Sequence, residues 1–85
     1  IKSSAQAQLE KYKKQLEENG VPAEIHVFAG VPFLEIVQFA EKEKADLIII
    51  GSQGRSKLKH FLLGSVAEKV AKKSSIPVLI YKPKQ

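Results

Sequence analysis

Ala45-Asp46-Leu47-Ile48-Ile49-Ile50-Gly51-Ser52-Gln53-Gly54 decides the fold. Leu47 to Ile50 is a short, unbroken apolar run, rich in β-branched residues and bounded by Asp46 and Gly51. Runs of this kind form strands buried on both faces of a parallel sheet. A parallel strand needs a crossover on each side, so helices should precede and follow it. Both are visible. Upstream, Phe33, Ile36, Val37 and Ala40 make one apolar stripe that begins beside Pro32 and runs to about Lys44. Proline is tolerated there because the first helical turn has no use for its missing N–H. Downstream, Val66 and Val70, with Ala67 and Ala71 beside them, predict a helix over about 65–74.

The pattern continues outward. Residues 76–81, Ile-Pro-Val-Leu-Ile-Tyr, read as the last strand, with Pro77 near its start or on an edge because it has no donor. Residues 23–29 read as another strand: Ile25 and Val27 on one side, Glu24, His26 and Phe28 on the other. Ala5, Leu9, Tyr12 and Leu16 share the face of a helix over 3–19, which Asn19-Gly20 closes and Pro22 keeps from resuming. The order is α-β-α-β-α-β, the alternation of an α/β fold with an open parallel sheet and helices on both faces.

At 85 residues the chain makes at most one small domain. A chain of this size buries only roughly 60–65% of its unfolded surface. The 44% hydrophobic content is that of a globular protein, and no apolar run approaches the ~20 residues that span a bilayer. The charged first twenty residues are neither a signal nor a transit peptide, and Ile1 in place of Met suggests a fragment or a cleaved product. With no cysteine, disulfides and thiolate metal sites are excluded, which fits a cytoplasmic location. The net charge of +5 is compatible with an anionic partner, although the lysines are spread along the chain.

One segment concentrates that charge. Residues 51–64 hold three of the five glycines and no acid, with Arg55, Lys57, Lys59 and His60 between the glycines. The segment leaves the carboxyl end of a buried strand, where α/β sheets bind ligands. Glycines there let the backbone turn and approach a ligand. It ends at Gly64-Ser65, where Ser65 and Glu68 have the spacing of a capping box. A helix start offers unpaired N–H groups and about +0.5 of charge to a phosphate. The combination predicts an anion site, although a glycine after a strand and a capping serine are each ordinary structural features. It is neither a Walker A loop nor a G-x-G-x-x-G fingerprint.

The spacing is G-x2-G-x9-G-S, with Gly51, Gly54, Gly64 and Ser65 at the fixed positions. It closely resembles the ATP-binding motif of the universal stress protein family. The flanks are similar too: Ala45–Ile50, Phe61-Leu62-Leu63 before Gly64, Ile76–Ile80, and Gly30-Val31-Pro32 before a helix. The resemblance covers nearly all 85 residues and makes residues 1–85 the C-terminal α-β-α-β-α-β part of such a domain. It implies a bound ATP, with magnesium, contacted by main chain at Gly51, Gln53 and Gly54. Gly64, Ser65 and Val66 would contact the phosphates, and Ile50 would lie beside the adenosine. Arg55 is added from its charge and position. The resemblance also implies strand order 3-2-1-4-5, with residues 23–29, 46–50 and 76–81 as the third to fifth strands, and a homodimer through strand 76–81. The family's first two strands, which carry contacts to the base and ribose, have no counterpart here.

Three functions compete. The first is an ATP-binding regulatory module with little chemistry, because no acid stands in the loop to position water. The second is a slow ATPase or nucleotidyl-transfer enzyme. The third is a nucleic-acid binder using Arg55, Lys57 and Lys59, which lacks interleaved aromatics and a reading motif. The first is the expectation, with a nucleotide as partner and neither nucleic acid nor membrane. His26 and His60 make neither a metal site nor a nucleophile's partner, so no catalytic residue is expected.

Overall fold

The computed structural model describes residues 4–52 and 63–82. Its elements are α1 (Ser4–Glu18), α2 (Pro32–Lys42), β1 (Ile48–Gly51), α3 (Ser65–Lys73) and β2 (Val78–Tyr81). The strands pair in parallel, with Ile48 opposite Val78 and Gly51 opposite Tyr81. The ladder runs past both ends. Ile48 N–H donates to the Pro77 carbonyl at 2.9 Å, and Ser52 N–H to the Tyr81 carbonyl at 2.8 Å. Pro77 therefore sits just before its strand, where its missing donor costs nothing.

The helices stop where local chemistry stops them. Gly20, at φ 78°, reverses the chain after α1, and Val21 N–H reaches back to the Leu16 carbonyl at 2.9 Å. α2 starts with Pro32 in its first turn and Val31 as N-cap. It ends in the same kind of turn, with Ala45 N–H on the Ala40 carbonyl at 3.0 Å. Here the left-handed position is filled by Lys44, at φ 55°.

The core is thin and one-sided. Val37 and Ala40 of α2, Ile48 of β1, and Ala67 and Val70 of α3 are buried, Val70 completely. Phe33, Ile36, Ile50, Val66, Ile76 and Val78 pack around the cluster half-buried. Full burial of a Val or Ile side chain contributes roughly 1.5–3 kcal/mol, so these few positions carry much of the stability. The expected inward stripes of α2 and α3 are present, except that Ala71 is exposed. The other face of the sheet is bare: Ile49 is 65%, Leu79 53% and Tyr81 59% exposed.

Residues 23–29 are not a strand. Their side chains do alternate. Glu24 and His26 meet at 3.3 Å, and the His26 and Phe28 rings stack at 5.9 Å on the same side. That side faces α2, where Phe39 lies 4.6 Å from the His26 ring. A strand requires a hydrogen-bonded neighbour, and among the described residues β1 pairs only with β2. Between residues 24–28 and β1 lies an open apolar groove of about 440 Å³, lined in part by Leu9, Ile25, Phe39 and Leu47. The stripe on α1 finds no core, and none of its residues is buried. Among the described residues no helix is long and apolar enough to cross a membrane.

Candidate functional site

The parallel pairing aims the carboxyl end of β1 at the start of α3. Ile50 is half-buried on the covered face, packed against the core. Gly51 is the last residue of β1 and exposed. Its φ is not positive, and a Cβ built there meets nothing within 4 Å among the described residues. Neither the backbone nor those neighbours require glycine at this position.

Gly64 is the N-cap of α3, at φ −63° and ψ 151°. Any residue adopts that extended conformation. The expected capping box does not form: Ser65 is the first helical residue, one position too late to cap, and no side chain caps the helix. The Gly64 carbonyl instead accepts the Glu68 N–H at 3.0 Å. Serine, aspartate or asparagine at the N-cap is worth typically ~1 kcal/mol over alanine, and glycine gives up a few tenths of that. The start of α3 therefore presents an exposed Ser65 hydroxyl, a half-buried Val66 and first-turn amides that no side chain covers. Gln53, Gly54 and Arg55 lie outside the described residues, as do Lys57, Lys59 and His60.

Ser52 is a residue the motif did not single out. It is buried, at 8% exposure, with its N–H on Tyr81 and its carbonyl accepting the Gly64 N–H at 2.6 Å. The parallel register holds the signal in hindsight, because the residue after the last rung of a ladder must place its own carbonyl.

Two acids belong to the approach to β1 and to α3. Asp46 precedes β1, roughly 15 Å from Gly51 at the usual rise of a strand. Glu68, in the first turn of α3, pairs with Lys72 at 3.3 Å. No group of His, Asp or Glu among the described residues could hold a metal ion. His26 lies by the lateral groove with Glu24, Phe28 and Phe39, apart from the start of α3.

A parallel β-α-β unit, with a glycine ending its strand and a glycine opening its helix, defines a domain of the α/β class. The chain belongs to the universal stress protein family, whose pattern it matches over residues 1–82. It is 50% identical over 82 residues to Universal stress protein MJ0531 of Methanocaldococcus jannaschii, covering 96% of this chain and 48% of the relative. Against Universal stress protein MJ0577 of the same organism it is 45% identical over 84 residues, covering 99% and 52%. A solved structure, described as a structure-based assignment of the biochemical function of MJ0577, superimposes with a TM-score of 0.88 at 47% identity. It covers 95% of this chain and 56% of that one. The chain thus spans about half the length of the curated relatives it matches.

Proposed function

We propose that this chain is the phosphate-holding part of an ATP-binding regulatory module. The observation that carries the reading is the pair Gly51 and Gly64. Both have ordinary backbone conformations, and both face the junction of strand end and helix start. Glycine at such positions keeps space for a close approach to main chain. The uncapped start of α3 suits the phosphate groups of a nucleotide. Gly54 and Arg55, between them in sequence, supply a further amide and a cation. Magnesium enters with the nucleotide.

The module binds and does not catalyse. Asp46 precedes β1, at the far end from Gly51, and Glu68 pairs with Lys72 at 3.3 Å, which supports a binding role over catalysis. Its output is a change in partner affinity, and it works in the cytoplasm. Its partner is a second copy, paired along β2, which has β1 on one side and no neighbour on the other among the described residues.

Calorimetry with Mg-ATP on the full native chain tests the reading, with Gly64→Asp as the decisive variant. Aspartate is a good N-cap, so the variant keeps its helix. Its carboxylate occupies the phosphate position and repels it. ATP binding by the parent, with loss of at least about tenfold in affinity in the variant, is expected. Equal affinities would remove the phosphate site from α3.

A further inference from the structure

We infer that Ser52 is the positioning residue of the phosphate site: its main chain ties the start of α3 to the sheet and selects the amides that face the ligand. The inference rests on the nucleotide reading above. It concerns a residue that lies between two motif positions and is not itself one of them.

Ser52 joins three elements through one residue. It follows the last residue of β1 directly. Its N–H donates to Tyr81, the last residue of β2, at 2.8 Å. Its carbonyl accepts the N–H of Gly64, the N-cap of α3, at 2.6 Å. The two ends of the intervening segment are thus fastened together, and the fastening is anchored to the sheet. Ser52 is the buried polar residue of the described chain, so these bonds are shielded from competing water.

The bond to Ser52 has a consequence for the ligand. Gly64 has spent both main-chain groups, its N–H on Ser52 and its carbonyl on Glu68. It contributes space to a phosphate and no hydrogen bond. The remaining donors are the amides of Ser65, Val66 and Ala67, which open α3 and have no acceptor within the helix. Ser52 fixes their direction relative to Gly51. Its small side chain matters because the position is buried where the two bonds diverge.

The test uses the full native chain, with amide exchange and amide resonances followed by NMR. Without nucleotide, the Gly64 amide exchanges about a hundredfold more slowly than those of Ser65 and Val66. On adding Mg-ATP, the Ser65, Val66 and Ala67 resonances move and Gly64 keeps its protection. Ser52→Val, which adds buried bulk, weakens ATP binding at least about tenfold and abolishes those three shifts, while Ser52→Ala stays within about threefold of the parent. Fast exchange at Gly64 would overturn the inference even if ATP binds. So would a folded Ser52→Val variant that binds ATP as tightly as the parent. If that variant does not fold, the Gly64 amide decides alone. A parent that binds no ATP sinks the functional reading first, and the positioning role with it.

Discussion

Ile48 and Ile49 are neighbours with the same side chain in the same strand, and they live in different worlds. Ile48 is 8% exposed beneath α2 and α3, whereas Ile49 is 65% exposed on the opposite face. The division runs across both strands: Val78 packs against the core, and Leu79 stands open. Nothing in the residue types separates the two faces. The covered face is set by α2 and the crossover helix α3, whose buried residues pack with Ile48. The bare face carries the apolar character of an interior with no packing element of the described chain upon it. A patch of that kind marks a surface that another surface covers.

The contrast is sharpest in a pair of charge insertions. Val70 is fully buried at the centre of the core. Val70→Asp leaves a charge without a partner or water, which costs several kcal/mol against a total stability of about 5–15. Thermal melting followed by circular dichroism should show no cooperative transition. Ile49→Asp places the same charge in solvent in a single chain and should leave the transition, measured below the concentration of self-association, within about 0.5 kcal/mol of the parent. If Ile49→Asp destabilises as severely as Val70→Asp, the two faces are equally covered and the comparison fails.

Self-association is the next largest effect. Among the described residues, the bare face, the unpaired edge of β1 and the lateral groove all expose apolar side chains. Residues 1–85 produced alone should therefore associate at micromolar concentration and bind ATP weakly. Light scattering should show species larger than one chain. Truncation before Ile76 removes β2 and should abolish any discrete dimer. A monomeric chain of residues 1–85 that melts cooperatively and binds ATP at micromolar concentration would show that the covered face suffices alone.

The sequence disclosed the covered side better than the bare one. The stripe Phe33, Ile36, Val37 and Ala40 located α2 and its buried face, and the β-branched run located β1 and its parallel partner. Those signals are local: a period, a proline, a glycine. Residues 23–29 alternate as a strand should, yet a strand exists only with a neighbour to bond, and periodicity does not reveal the neighbour. Leu47–Ile50 shows that the run is apolar on both sides but not which side the helices take. The glycine spacing marked the end of β1 and the start of α3. The capping box was misplaced by one residue, because Ser65-x-x-Glu68 has the right spacing whether Ser65 is N-cap or first residue. Ser52 escaped notice because its role lies in its main chain, which side-chain patterns do not report.

The smallest expected effect isolates the covered side. α2 reaches β1 through Lys44, which holds a left-handed φ of 55°, while the equivalent turn after α1 uses Gly20 at 78°. The hydrogen bonds match: Ala45 N–H to Ala40 O at 3.0 Å in one, Val21 N–H to Leu16 O at 2.9 Å in the other. A left-handed non-glycine residue costs about 1–2 kcal/mol, and glycine returns part of that gain through its larger unfolded-state entropy. Lys44→Gly should stabilise the chain by about 0.5–1 kcal/mol, a rise of roughly 2–8 °C in Tm for a domain of this size. Lys44 is exposed in the turn after α2, before β1 and at the far end of that strand from Gly51, so self-association and nucleotide affinity should not change. The turn belongs to the unit that packs Val37, Ala40 and Ile48, so the gain should appear in its cooperative transition. A Tm that falls or does not move would mean that the α2–β1 turn does not limit the stability of the covered face. The bare face would then be the place where the chain gives way first.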